Sequence, residues 1–387
     1  MKVAVVLTRV PFPLMKGDKL RAYYQIKELA KKHDVYLFCL NYKDEEIKAR
    51  EELSKYCKTI HIEKLNLFTS LFRVGLSIFG NLPFQTAFYD SKTAKKKFKS
   101  FIEENKIELC YFQFVRLAPY AKKIKTKKVL DFQDTLSMNM KRRADKSRLL
   151  EKFLFRIEAK RLAKYESEMF NLFDSLTIIT EADRELLQSP RKKEVHIIPN
   201  GVAESYFAYP QPEEKTFDLL FSGAMSYAPN IDAAEYLIKE IMPLVWEKKP
   251  NVKIAIAGGG APVSLKKMAN EKIIMLGWVD DMKEYYSQSK VFIAPMQIGT
   301  GLQNKLLEAM AMKMPCITSP LANYALKAKD KEEILIANTA REYADYIIEL
   351  LDNKELAQNI ANKGKDYVFN QYSWQTNCEK LSEIFMN

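Results

Sequence analysis

A short apolar run at residues 291–295 leads into Gly299-Thr300-Gly301-Leu302-Gln303-Asn304-Lys305-Leu306-Leu307-Glu308-Ala309-Met310. A strand, a glycine-bearing loop and a helix in that order expose the free N–H groups of a helix start. The positive end of the helix dipole lies there too, so an anion is favoured. Lys305, in the first turn, adds a full positive charge, which suits a phosphate or diphosphate. Glu308 follows three residues on, on the same helix face. As a carboxylate it accepts hydrogen bonds from paired hydroxyls such as those of a ribose. Phosphate beside sugar hydroxyls describes a nucleotide sugar. The same residues also fit a plain turn and a surface Lys/Glu pair, and neighbouring segments separate the two readings.

Those segments come in a fixed order. Residues 2–8 read as a strand, followed by a loop ending in Lys16-Gly17-Asp18 and a helix. Ile197-Ile198-Pro199-Asn200-Gly201-Val202 lies mid-chain. Phe221-Ser222-Gly223-Ala224 follows a strand, Ala257-Gly258-Gly259-Gly260 follows the next, and Gly277-Trp278-Val279 follows a third. Met314-Pro315-Cys316-Ile317-Thr318 comes after the Lys305 helix. Together with residues 299–311, this series resembles the family 4 glycosyltransferases over nearly the whole chain, most closely from Pro199 onward.

The resemblance implies an α/β GT-B fold, two Rossmann-like doubly wound domains facing across a cleft. It implies retaining transfer of a sugar, of hexosyl type, from a nucleoside diphosphate donor to a hydroxyl acceptor. The acceptor would be a glycan or a lipid-linked sugar in cell-envelope polysaccharide or glycolipid assembly. Gly299, Thr300, Gly301, Leu302 and Lys305 would hold the donor diphosphate, and Glu308 the ribose. Gly223, Gly258, Trp278 and Val279 would line the nucleotide, while Lys16 and Gly17 would meet the donor from the first domain. Many relatives place a histidine near residue 134; here the candidate is Asp134, orienting a reacting hydroxyl. The first of the family's two signature glutamates falls at Thr300. Residues 225–230 lack the Lys or Arg that pairs with Lys305 in many relatives, so Lys16 or Arg21 is expected to aid the diphosphate clamp. Two rival readings stay open: a sugar-nucleotide epimerase or hydrolase of the same fold, and a non-catalytic glycan-binding adaptor.

A chain of 387 residues, 47% hydrophobic and 28% charged, is ordinary for a soluble protein of two domains. The expected layout is an acceptor-side domain at 1–205, a nucleotide-sugar domain at 206–370, and a last helix at 371–387 returning to the first domain. Ser373 is placed to cap that helix. Apolar runs near 2–8, 35–40, 59–62, 107–112, 128–132, 175–180 and 195–198 read as strands of the first half. Runs near 217–222, 252–257, 272–276, 290–295, 314–318 and 334–337 read as strands of the second. They are short and mostly not alternating, as suits parallel strands covered on both faces.

Several functions are disfavoured. The first loop has one glycine rather than G-x-G-x-x-G, so no dinucleotide cofactor is expected. Cys39, Cys57, Cys110, Cys316 and Cys378 are scattered, and His33, His61 and His196 lie far apart, so neither a disulfide framework nor a metal centre is expected. No metal is required where Lys305 supplies the charge. No signal peptide or spanning segment is read, which points to the cytoplasm, with peripheral contact at the inner face of the plasma membrane.

The charge is uneven. Residues 1–200 hold 41 Lys and Arg against 25 Asp and Glu; the remainder holds 20 against 24. The basic clusters lack the interleaved aromatics of single-strand binders, so nucleic acid is not an expected partner. An anionic membrane surface is. Residues 66–81 form an amphipathic helix in which Leu67, Phe68, Leu71, Phe72, Val74, Ile78 and Phe79 make one stripe. Packing of that stripe on the first domain's core is the commoner outcome for such a pattern, and resting on an anionic leaflet is the other. Asp18 reads first as an N-cap.

Overall fold

The computed structural model describes residues 1–14, 17–42, 47–147, 149–298 and 302–387. The chain forms two compact units, Met1–Pro199 with Asn377–Asn387, and Asn200–Thr376. The division falls at Pro199, a few residues before the expected boundary at 205.

Among the described residues, the first unit holds seven strands: β1 (Lys2–Leu7), β2 (Asp34–Asn41), β3 (Cys57–Lys64), β4 (Leu109–Gln113), β5 (Lys127–Asp131), β6 (Ser175–Ile178) and β7 (His196–Ile197). All pair in parallel in the order β3-β2-β1-β4-β5-β6-β7. The sequence of β1 explains why it is central. Val3, Val5 and Leu7 enter one apolar cluster with Leu37 and Tyr111, while Ala4 and Val6 enter another with Phe38 and Phe112. A strand with apolar side chains on both faces is buried from both sides.

The second unit holds β8 (Phe217–Ser222), β9 (Ile254–Ala257), β10 (Ile273–Gly277), β11 (Ser289–Ala294), β12 (Cys316–Thr318) and β13 (Leu335–Ile336). These are also all parallel, in the order β10-β9-β8-β11-β12-β13. Every strand read from the sequence is present. In both sheets the order reverses direction beside the first strand, between β1 and β4 and between β8 and β11. Ligands of open parallel sheets bind at the carboxyl ends of strands at such a switch point.

Nine helices matter below: α1 (Gly17–Leu29), α2 (Leu67–Ser77), α3 (Phe84–Tyr89), α4 (Leu136–Lys146), α5 (Leu149–Leu172), α6 (Ala228–Tyr236), α7 (Met282–Ser287), α8 (Asn304–Ala311) and α9 (Trp374–Met386). Ser373 Oγ accepts the Thr376 amide at 3.1 Å, which caps α9. Further along α9, Leu381 and Phe385 are buried in the first unit, with the Phe385 ring 5.4 Å from that of Tyr111.

α2 corrects an expectation. Its apolar stripe does not pack on the core: Phe68 is 83% exposed, Phe72 68%, and Phe79 just beyond the helix 92%, whereas Ser70 and Ser77 are buried. Polar bonds fix this orientation. Arg73 donates to Ser70 Oγ at 2.7 Å and to the carbonyls of Phe88 and Ala87 at 3.0 and 3.3 Å. Arg161 donates to the Ser77 and Ile78 carbonyls at 2.7 and 3.0 Å. A hydrophobic pattern reports that one face differs from the other; it does not say which face meets the protein.

Candidate functional site

In the second unit, the β8–β11 switch point gathers Phe221, Asn230, Met296, Lys305 and Glu308. Lys305 Nζ donates to Asn230 Oδ1 at 2.5 Å, touches Met296 Sδ at 3.7 Å, and lies 4.8 Å from the centre of the Phe221 ring. No carboxylate lies within 4 Å of it among the described residues. Burial pushes the Lys305 ammonium down to about 7, against the opposing pull of Glu308. Glu308 is pushed up to about 7, again by burial, with the Tyr286 hydroxyl, Lys305 and Lys283 working the other way. Tyr286 OH donates to Glu308 Oε2 at 3.0 Å and lies 3.1 Å from Ser222 Oγ. The free protein therefore holds a cation with only neutral first neighbours and a carboxylate with one phenol. Such an arrangement has unspent capacity for an anion and for hydroxyl donors.

The glycine loops after β8, β9 and β10 are bonded to one another. Gly223 N donates to Ala257 O at 2.9 Å, Met225 N to Gly259 O at 2.8 Å, and Gly258 N to Gly277 O at 2.7 Å. Gly258 has φ +139°, and a Cβ there would come within 1.7 Å of the Gly223 carbonyl oxygen. Only glycine permits that approach. A Cβ on Gly223 would meet the Asn230 amide at 2.6 Å, so Gly223 leaves room for the side chain that holds Lys305. Trp278 is 66% exposed rather than part of the core, and its indole lies beside Gly259. Val279 and Leu302 are half-buried.

In the first unit, Asp134 follows β5. Its Oδ2 accepts from Asn139 at 2.9 Å, while Oδ1 is buried without a hydrogen-bond partner. Burial, with help from Asp183, pushes its carboxyl up to about 6, against Arg116 and Asn139. Gln133 and Phe114, at the ends of adjacent strands β5 and β4, have φ of +63° and +72°. Non-glycine residues held there store roughly 1–3 kcal/mol each and concentrate at functional sites. Gly17 opens α1, with nothing within 4 Å of where its Cβ would be. Asp18 lies within the first turn of α1 and pairs with Arg9 at 3.1 Å, so it is not the N-cap.

Arg21 is not available to a diphosphate. It is fully buried, with Nε 2.7 Å from Asp131 Oδ2 and Nη2 2.9 Å from the Ile198 carbonyl. Tyr111 OH and Thr177 Oγ1 complete the shell of Asp131 at 3.0 and 3.2 Å. Four elements meet at this carboxylate, and its work is structural. Lys16, Gly299, Thr300 and Gly301 lie outside the described residues. Among the described residues, no group of three His, Cys, Asp or Glu side chains is placed to hold a metal ion.

Residues 216–353 match the family model described as "Glycosyl transferases group 1". The second unit carries a glycosyl transferases group 1 domain. Across the full length, the chain is 23% identical over 395 residues to an "Uncharacterized 44.6 kDa protein in cps region" of Klebsiella pneumoniae, covering 96% of this chain and 95% of that one. It is 24% identical over 233 residues to the UDP-Gal:alpha-D-GlcNAc-diphosphoundecaprenol alpha-1,3-galactosyltransferase of Escherichia coli, covering 53% and 56%. The crystal structure of a glycosyltransferase from Rickettsia africae superposes with a TM-score of 0.69 at 14% identity, covering 99% and 97%. The fold is that of the GT-B glycosyltransferases, and the group 1 match marks residues 216–353 as a glycosyltransferase domain.

Within the glycosyltransferase domain, the structure brings together Gly223, Lys305 and Glu308, with Gly258 and Trp278 on the adjoining loops. Gly17 and Asp134 are in the other unit. The sequence reading missed Asn230 and Tyr286. Asn230 sits in the segment searched for a basic partner of Lys305, and an amide there was the available signal. Tyr286 left none, because an aromatic on a short helix reads as core.

Proposed function

We propose that this protein is a retaining glycosyltransferase that moves a hexosyl group from a nucleoside diphosphate sugar to a hydroxyl of an envelope glycan or lipid-linked sugar. The observation that carries the reading is Lys305: a half-buried amine at the start of α8, held by an amide and a ring instead of a carboxylate. As the bond from the anomeric carbon to the diphosphate oxygen breaks, negative charge builds on the diphosphate. Lys305, recharged by that anion, and the first amides of α8 stabilise it. For retention, the leaving phosphate oxygen accepts the proton of the acceptor hydroxyl on the same face. Glu308 has one oxygen on Tyr286 and offers the other to the ribose hydroxyls. Asp134 orients the acceptor hydroxyl. The E. coli relative is named for a UDP-Gal donor and a diphosphoundecaprenol-linked acceptor, which supports a UDP-sugar and an amphiphilic acceptor here.

The test begins with a panel of nucleotide sugars, scored by thermal stabilisation. Product analysis with and without acceptor sugars follows. Lys305→Ala is expected to lower kcat/KM by about two orders of magnitude or more while the melting temperature holds. A folded Lys305→Ala variant with full turnover overturns the assignment. Donor consumed with no acceptor present indicates an epimerase or hydrolase, and binding without turnover indicates an adaptor.

A further inference from the structure

We propose that Arg116 and the groove beside it select the acceptor by a phosphate group that joins its sugar to an apolar chain. The inference rests on the reading of a lipid-linked acceptor above and names the group by which that acceptor is recognised. Arg116 lies in the single turn Val115–Leu117 that follows β4. Its guanidinium carbon is 4.9 Å from the centre of the Phe114 ring, and its Nε is buried with no hydrogen-bond partner. Among the described residues it makes no ion pair within 4 Å. Burial works against its charge, Tyr89, Asp134 and Asp18 favour it, and Arg9 opposes it. An arginine keeps its charge even so, and the fold therefore carries a buried cation without a bonded counter-ion. Glu158 borders the same groove but spends its oxygens on the Phe84 and Gln85 amides, at 2.7 and 3.0 Å.

The groove has a volume of about 570 Å³, and Val74, Ile78, Met140, Leu154 and Phe155 give it apolar walls. Gln85 also borders it, and its Nε2 is buried without a partner. Asp134 supplies the third such atom, Oδ1. Asp134 and Arg116 each favour the other's charge, yet no ion pair joins them. One ligand satisfies all three: it donates a hydroxyl to Asp134, sets a phosphate against Arg116 and Gln85, and lays an apolar chain along the walls. A guanidinium fork matches phosphate oxygens in shape and charge. A wholly apolar guest would leave Arg116 buried without a counter-ion, and an uncharged sugar would leave the walls in water.

The experiment titrates geranyl diphosphate calorimetrically into the full chain, below its micelle concentration and with no lipid present. Geraniol is the uncharged control and should bind about tenfold or more weaker. Arg116→Met should weaken geranyl diphosphate about tenfold or more. Its melting temperature should hold or rise, because the substitution removes a buried charge without a counter-ion. Lys305→Ala should bind the probe as wild type does, which separates this site from the diphosphate site of the second unit. Leu154→Ser should weaken the probe about threefold or more. The proposal is overturned if geranyl diphosphate does not bind, binds no tighter than geraniol, or binds Arg116→Met as it binds wild type. Binding lost in Lys305→Ala overturns it too, as does an Arg116→Met melting temperature that drops, which would give the guanidinium a structural role. The nucleotide-sugar panel reports on the glycosyltransferase reading and this titration on Arg116, so the two fail separately.

Discussion

Raising the pH from 7 to 9 is expected to weaken binding of a UDP-sugar by about fiftyfold. The magnitude follows from Lys305, whose burial pushes its ammonium down to about 7 in the free protein. At pH 7 about half the molecules carry the charged form, and at pH 9 about one in a hundred. A diphosphate selects the charged form and returns the amine toward its ordinary range, so affinity falls about fivefold from pH 7 to 8 and about ninefold from pH 8 to 9. At pH 8, binding takes up roughly 0.9 proton from solution. Calorimetric titration of UDP-glucose or UDP-galactose in buffers of different ionisation enthalpy measures that number directly. Such donors suit the test because the diphosphate of a nucleotide sugar does not titrate in this range. A flat affinity between pH 7 and 9, with no proton uptake at pH 8, refutes the premise that the free protein desolvates this amine. The same pH slope retained in Lys305→Met assigns the proton to another group.

Three further outcomes follow. Asn230→Asp places a carboxylate where an amide now sits 2.5 Å from Lys305 Nζ; donor binding at pH 8 should fall by about 100-fold, since the new charge competes with the diphosphate, and a thermal-shift titration reads it. Glu308→Gln should stabilise the donor-free protein at pH 8 while weakening donor binding. A carboxyl pushed up to about 7 keeps its proton in the native state between its ordinary pKa of 4.5 and 7, so folded stability falls as pH rises through that window, and the amide removes this loss. Comparing urea midpoints at pH 5 and 8 tests the sign, and an equal difference at both pH values contradicts it. Arg21→Met should cost about 3–5 kcal/mol of stability in urea, because Asp131 is left charged and buried; adding Asp131→Leu should recover much of it.

The strands were largely legible because both sheets are parallel and covered on both faces. β1 places apolar side chains in two separate clusters, so it needs a run without alternation, and such runs stand out in any sequence. The Lys305 helix was legible as well, since strand, glycine loop and helix are local features. Arg21 was misread. Near a glycine loop it looked like a phosphate ligand, yet its partner Asp131 is 110 residues away, and nothing local announces that pairing.

α2 marks the boundary most clearly. Its sequence by itself determined that the helix is two-faced, because periodicity is a property of a few consecutive residues. Only the tertiary structure decided which face points outward. That choice rests on Arg73 reaching carbonyls around residue 88 and on Arg161 reaching back from α5. The same holds for Lys305: the chain supplied an amine at a helix start, and folding supplied the amide, the ring and the burial that set its charge.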